Sequence, residues 1–480
     1  MNDNHTTFAE RIHEAIEDDY LINAVKYTTE RLKSKKLEAA SELGGWEEWR
    51  EKGRQIREHT ISHLDHYLRQ FVDNARQAGV QVYFAKDAQE AAQITVDIAK
   101  KKQAKRVVKS KSMVSEEIHI NHALEAQGIQ AIETDLGEYI IQLAKETPSH
   151  IIIPAIHKTR KQIQALFEEA GGVGLTTETK NLTAFARKTL RAEFLQADVG
   201  ITGCNFAIAQ TGSIVLFTNE GNGRMVTTFP KTHIVLMGME RILPTIADLE
   251  VMATLLPRSA TGQKLTAYMT VLTGPRRVDE QDGAEEMHLI IVDNGRSKQL
   301  GDPQFQMILH CIRCGACLNV CPVYRHIGGH AYGSVYPGPI GAVLTPLLDD
   351  TGKHADLPYA SSLCGACYEA CPVKIPLHDL LVYLRQRSVA AGKAKGLERA
   401  AFAGYRHAFS SAKRYRFVLK MGQTLQGLIT ENGHFRASFA PLHAWTDSRD
   451  LPALPNETFR ERFDKRSKGQ GIVPSSPEGR

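Results

Sequence analysis

The chain has 480 residues, enough for two or three domains that each bury a core. Its composition, 42% hydrophobic and 24% charged, is that of an ordinary globular protein. No apolar run approaches the roughly 18 residues of a membrane-spanning helix, and Met1–Thr7 lead into a polar helical pattern without the basic-then-apolar layout of a secretory leader. The formal charge of +5 is uneven: Leu381–Arg480 holds 18 Lys plus Arg against 8 Asp plus Glu, a net +10, which leaves −5 for the first 380 residues. That basic tail suits an acidic partner, an anionic lipid surface or a plain solvated face. Nucleic acid fits least, because no reader motif accompanies the charge.

Residues from about Phe8 to Ala78 read as long amphipathic helices, broken at Gly44-Gly45. Short apolar runs then alternate with helical stretches: Val80–Ala85, Arg106–Lys109, His150–Ile153, Val199–Thr202, Ile214–Thr218, His233–Met237, Ala267–Leu272 and Leu289–Val292. This alternation predicts an α/β sheet domain. Asn294–Asp302 is polar and glycine-containing and reads as a linker, and Gln304–His310 as a short helix that delivers Cys311. Gly328-Gly329, Gly333, Pro337-Gly338-Pro339 and Gly341 mark a tightly folded loop. Leu377–Val389 and Leu397–Leu428 return to helix, and Gly469–Arg480 reads as a frayed end. The expected fold is multidomain α/β plus α. It has a helical region over 1–65, an α/β domain over 66–296, a cysteine-bearing helical domain over 303–390 and a basic C-terminal domain over 391–480.

Seven of the eight cysteines fall in two runs: Cys311, Cys314, Cys317 and Cys321 before Pro322, and Cys364, Cys367 and Cys371 before Pro372. C-x2-C-x2-C lets one loop wrap a cubane, and the fourth cysteine of such a run ligates the other cluster in two-cluster ferredoxins. Crossed ligation predicts two 4Fe-4S clusters: cluster 1 on Cys311, Cys314, Cys317 and Cys371, and cluster 2 on Cys321, Cys364 and Cys367. Cluster 2 is one thiolate short, with Ser361 at the position of the missing cysteine. It could be a three-iron cluster, a four-iron cluster with solvent or Ser361 on one iron, or a site completed by a partner. Tetrahedral zinc fits a third cysteine in each run badly. A disulfide framework belongs to short secreted chains, whereas reduced thiols point to the cytoplasm.

The run Cys311-Ile-Arg-Cys314-Gly-Ala-Cys317-Leu-Asn-Val-Cys321-Pro322, with Gly328-Gly329-His330 and Tyr336-Pro337-Gly338-Pro339-Ile340-Gly341, resembles the bacterial lactate utilization protein B family. So do Leu363-Cys364-Gly-Ala-Cys367-Tyr-Glu-Ala-Cys371-Pro372, Thr202-Gly203-Cys204-Asn205, Thr211-Gly212-Ser213 and Asn219-Glu220-Gly221-Asn222-Gly223-Arg224. The resemblance covers essentially the whole chain. It implies a three-protein system that oxidises L-lactate to pyruvate and supports growth on lactate. This chain would be its iron–sulfur electron-transfer component, with two other lactate-utilisation proteins as partners, an unknown electron acceptor, and a place in the cytoplasm or at the inner face of the membrane. The family's cluster ligands map onto the seven cysteines, three of them for cluster 2.

The α/β domain resembles a fold shared with sugar-phosphate isomerases and coenzyme A transferases, which place small anions at strand ends. Thr211-Gly212-Ser213 is then the candidate anion loop for lactate or pyruvate. Lys109, Lys111 and Ser112 could add charge and donors, and Arg224 could hold a carboxylate. Glu220 faintly resembles the transferase glutamate nucleophile, a chemistry not expected here. Cys204 reads as a small buried side chain, and His326, His330 and His354 as loop histidines near the clusters. No G-x-G-x-x-G follows a strand, so no Rossmann-type flavin or nicotinamide site is visible. The competing readings are an iron–sulfur subunit of another 2-hydroxy-acid or glycerol-phosphate oxidase, and an electron-transfer adaptor with no substrate site.

Overall fold

The computed structural model describes residues 7–349, 352–392, 396–435 and 449–468; Gly469–Arg480, read above as a frayed end, lie outside the described residues. Thr7 opens helix α1 (Phe8–Glu17) with a capping box, its hydroxyl accepting the Glu10 N–H while the Glu10 carboxylate takes the Thr7 N–H. Helix α2 (Asp19–Leu43) stops at Gly44, and α3 (Trp46–Ser62) starts after Gly45. Helix α4 (Leu64–Gln77) follows and leads into the sheet.

The buried stripes of α2 and α3 are not wholly apolar. Val25, Thr29, Leu32, Lys36 and Ala39 recur on one face of α2, and Arg50, Gly53, Arg57 and Thr60 on one face of α3. The helix Ala366–Ala370 leaves its last carbonyls without partners of its own, and these cations take them. Lys36 reaches the Ala370 carbonyl, and Arg50 donates to those of Cys371 at 2.9 Å and Tyr368 at 2.8 Å. The N-terminal helices thus clamp the cysteine region.

Ten strands follow: β1 (Gln81–Ala85), β2 (Arg106–Lys109), β3 (Gln130–Glu133), β4 (Val199–Thr202), β5 (Phe206–Ile208), β6 (Ser213–Thr218), β7 (Thr232–Gly238), β8 (Ile242–Leu243), β9 (Tyr268–Leu272) and β10 (Glu286–Val292). Six pair in parallel in the order β1-β10-β7-β4-β2-β3. Every residue of β4 and β7 is buried, as strands covered on both faces must be. A second sheet, β8-β5-β6-β9, pairs β5 parallel to β8 and antiparallel to β6, and β6 antiparallel to β9.

Two expectations need correction. His150–Ile153 is a loop rather than a strand, because the buried His150 side chain takes the backbone donors a ladder would use. Its Nδ1 accepts from the Ile152 N–H at 3.0 Å and the Ile153 N–H at 3.2 Å. Asn294–Asp302 is not a bare linker. It contains the helix Arg296–Leu300, whose buried Arg296 bonds Glu117 at 2.8 Å and Glu240 at 2.7 Å. Strands β3, β5 and β8 had no counterpart among the predicted runs; β5 and β8, at 3 and 2 residues, are too short for a periodic signal.

Met1–Ser388 and Val389–Arg480 form separate compact units. The second unit has helices Gly396–Phe409, Ala412–Leu425 and Phe459–Ser467 and a hairpin of β11 (Thr430–Glu431) with β12 (His434–Phe435). None of those three helices buries a residue fully.

Candidate iron–sulfur centres and the adjoining pocket

The two cysteine loops repeat one backbone path. Arg313 and Leu363 both take a left-handed conformation at φ +58° and +56°, and Gly315 and Gly365 follow at +72° and +79°. Each glycine opens a short helix, Ala316–Val320 or Ala366–Ala370, that ends at the next cysteine. Cys311 Sγ accepts the Arg313 N–H at 3.4 Å, and Ser361 Oγ accepts the Leu363 N–H at 3.1 Å. Ser361 therefore occupies the structural position of Cys311 in the second loop.

The structure brings the cysteines together in two sets. Cys314 neighbours Cys371 and Cys311, and Cys317 neighbours Cys314, Cys311 and Cys371. Cys321 neighbours Cys364, and Cys367 neighbours both. The sets meet where Cys317 faces Cys367. Four thiolates at about 2.3 Å from one zinc ion would lie about 3.8 Å apart. No three cysteine sulfurs among the described residues fall within 4.8 Å of one another. The sulfurs do not converge as a tetrahedral zinc site requires, whereas two sets that each draw on both loops would suit the crossed ligation of two cubanes. Backbone N–H groups already point at sulfur, from Tyr324 to Cys321 at 3.5 Å and from Ile375 to Cys371 at 3.4 Å. Burial, then neighbouring cysteines, push the Cys314 and Cys367 thiols up to about 12, so iron must displace their protons. Cys364 differs: it is exposed, and the Ala366 N–H lowers its thiol from the ordinary range.

A buried ionic network joins the sheet to the Cys311 loop. Glu240 meets Arg296 at 2.7 Å, Arg313 at 3.4 Å and Arg241 at 3.8 Å. Burial alone would raise the Glu240 carboxyl, but Arg296, Arg241 and Arg313 outweigh it and hold it at about 2. Glu117 pairs with Arg296 and accepts from the Tyr336 hydroxyl at 2.6 Å. Arg313 also lies over the Tyr336 ring, 5.0 Å from its centroid. Arg57 from α3 ties in by donating to the carbonyls of Ile242 at 2.7 Å and Leu309 at 3.0 Å.

A cavity of about 210 Å³ opens at the carboxyl ends of β2, β3 and β4, where Ser112, Asp135 and Gly203 line it. Parallel α/β sheets bind ligands at that end. Arg313 from the cysteine loop and Arg241, just after β7, close its floor, while Pro257 and Ala260 form an apolar wall. A larger cavity of about 750 Å³ lies at the starts of β7 and β10, lined by His233 and Met287. That is the opposite, amino end of the sheet.

Few of the residues singled out in the sequence reach the pocket. Lys109 is fully buried behind it, and its ammonium is saturated by Glu133 at 2.6 Å, Glu116 at 2.9 Å and Asn121 at 2.8 Å. Thr211-Gly212-Ser213 is a closed turn: Thr211 bonds Ser213 at 2.8 Å, and Ser213 bonds Thr273 at 2.9 Å. A Cβ on Gly212 would come within 2.3 Å of the Ala75 N atom, so this glycine serves the packing of α4. Arg224 is exposed and stacks on Tyr268 at 5.9 Å. Lys111, Ser112, Cys204 and Glu220 do line the pocket. Burial pushes the Cys204 thiol up to about 12, and it donates to the Phe206 carbonyl at 3.0 Å. Glu220 sits at the exposed rim, yet desolvation and then Asp135 raise its carboxyl. His326 Nδ1 bonds the Pro322 carbonyl and His330 Nε2 the Thr147 carbonyl, each at 2.7 Å, and the His354 N–H donates to Asp349 at 3.1 Å. Arg241 and Arg313 were missed. Arg313 lies inside the first C-x2-C, the one available signal.

Residues 68–292 match the LUD domain, 307–375 the 4Fe-4S dicluster domain, and 386–468 the lactate utilisation protein B C-terminal domain. This order of domains defines an iron–sulfur protein with a role in lactate utilisation. Proteins named lactate utilization protein B from Bacillus cereus (strain B4264) and Bacillus thuringiensis (strain Al Hakam) are each 52% identical over 463 residues, covering 96% of this chain and 98% of theirs. Lactate utilization protein B 2 of Bacillus mycoides (strain KBAB4) matches to the same extent. The chain belongs to the lactate utilization protein B family. Among the described residues, no helix is long and apolar enough to cross a membrane.

Proposed function

We propose that this chain is the electron-transfer component of a multiprotein system that oxidises L-lactate to pyruvate, working with two other lactate-utilisation proteins in the reducing cytoplasm. The observation that carries the reading is Arg313, a residue of the Cys311 loop that also lines the pocket at the strand ends. Cys311, Cys314, Cys317 and Cys371 would hold one cluster, and Cys321, Cys364 and Cys367 the second, with Ser361 at its fourth position. When bound, each cluster takes one electron at a time, so two match the two electrons released when lactate becomes pyruvate. Glu220, its carboxyl raised by burial and by Asp135, is suited to take one of the two protons released. Exposed Cys364 gives the second set a surface from which an acceptor can be reached.

A mixture of the three proteins should form pyruvate from L-lactate with a dye as electron acceptor. Replacing this chain by its Cys314→Ala variant should abolish the turnover and lower iron content. Pyruvate formation at an unchanged rate without this chain would refute the role.

A further inference from the structure

Residues that line the pocket carry donors and an acceptor that the chain itself does not satisfy. Arg241 and Arg313 are only 6% and 8% exposed, yet Arg241 Nε and Arg313 Nε and Nη1 have no hydrogen-bond partner. Their one carboxylate, Glu240, is bonded more closely by Arg296, at 2.7 Å against 3.4 Å for Arg313 and 3.8 Å for Arg241. Lys111 adds a third cation to the lining; its Nζ donates to the Ile152 carbonyl at 3.0 Å and lies 3.9 Å from Glu138. Asp135 and Glu220 are the acids of the lining, and Asp135 is engaged by the N–H groups of Gly137 and Glu138. Idle guanidinium donors in a buried wall cost free energy unless a ligand takes them. A planar carboxylate presents two acceptors matched to such a fork.

Asn222 supplies the complement. It is 3% exposed and belongs to the lining of the same pocket; its amide donates to Thr134 at 3.3 Å, and its buried Oδ1 has no partner. An unpaired buried acceptor calls for a ligand hydroxyl. A volume of about 210 Å³ is below the range of drug-sized sites and limits the ligand to a few heavy atoms.

We propose that this pocket binds a short 2-hydroxy carboxylate, with its carboxylate on Arg241 and Arg313, Lys111 adding charge, and its hydroxyl donating to Asn222 Oδ1. The site deepens the role proposed above and rests on it for the choice of L-lactate as the acid to try. A competing claim on the arginines is the cysteine loop itself, since Arg241 donates to the Cys311 carbonyl at 3.4 Å.

Calorimetry on the isolated full-length chain, purified anaerobically with its iron, separates these readings without turnover. L-lactate should bind, propionate, which lacks the hydroxyl, should bind about tenfold more weakly, and the neutral methyl ester of L-lactate should not bind. Asn222→Ala should erase the difference between L-lactate and propionate. Lys111→Met should weaken both acids by about tenfold. Ala260→Leu, which fills the cavity and removes no charge, should abolish binding with iron content unchanged. Absence of binding by either acid to iron-replete protein, or equal binding of acid and ester, would overturn the site and leave the arginines to the cysteine loop. If the clusters are still reduced by lactate and partner proteins in that case, the electron-transfer role survives and only the pocket falls.

Discussion

Ser361 sits where its loop has room for a ligand: its Oγ takes the amide N–H that Cys311 Sγ takes in the first loop, at 3.1 Å against 3.4 Å. Ser361→Cys should therefore add a thiolate to Cys321, Cys364 and Cys367 without disturbing the turn, and a redox titration should show the potential of that cluster falling. An unchanged titration would mean that the fourth position is not at Ser361. Glu240 is a different kind of residue, a structural anion shared by Arg296, Arg313 and Arg241. Glu240→Gln leaves three buried cations under-compensated, a change that costs about 3–5 kcal/mol. Urea unfolding at neutral pH checks this, and a loss below about 1 kcal/mol would contradict it. Because the Glu240 carboxyl is held at about 2 rather than its ordinary 4.5, its stabilisation is complete above pH 4.5 and is lost as the pH falls toward 2.

Elements that pack by period were legible in the sequence; those that pack through a side chain were not. Strands β2 and β4 have the limits that the runs Arg106–Lys109 and Val199–Thr202 predict, each carrying two fully buried β-branched aliphatic residues, Val107 and Val108 in β2 and Val199 and Ile201 in β4. The run His150–Ile153 is richer in β-branched aliphatic residues than either and is nevertheless a loop, since His150 supplies the hydrogen bonds locally. The cysteine loops were legible because cluster geometry dictates their spacing. The pocket was not, because Arg241 and Arg313 lie far apart in sequence and are brought together only in the fold, beside Glu240. Buried histidines give these elements an acid limit. Burial and Lys111 hold His150 at about 3, and burial and His288 hold His233 at about 3, so both stay neutral in the fold and protonate once it opens. Their folded values lie below the ordinary 6.5, so stability is lost as the pH falls below 6.5. At pH 5 the loss is about 2 kcal/mol for each. His233→Gln should recover one such share of the difference between urea unfolding at pH 7 and at pH 5; an identical pH dependence in the variant would refute the assignment.

At the scale of the whole molecule, Met1–Ser388 makes the sheet, the N-terminal helices and the cysteine loops one packed body. Arg57 joins α3 to β8 and Leu309, Arg296 joins the sheet to Tyr336 through Glu117, and Arg50 holds the end of the second cysteine loop. Such a body keeps the pocket and the first cysteine set at a fixed spacing, as the proposed electron transfer requires, and sets Cys364 at its surface. The three helices described in the second unit bury no residue, and this unit carries much of the basic tail, a surface that suits an acidic partner. The central claim is that electrons from lactate enter the clusters of this chain. Low-temperature electron paramagnetic resonance on the anaerobic protein, mixed with L-lactate and the other two lactate-utilisation proteins, tests it most directly. Signals of reduced clusters should appear after L-lactate is added. A silent spectrum, from a sample whose clusters dithionite still reduces, would contradict it.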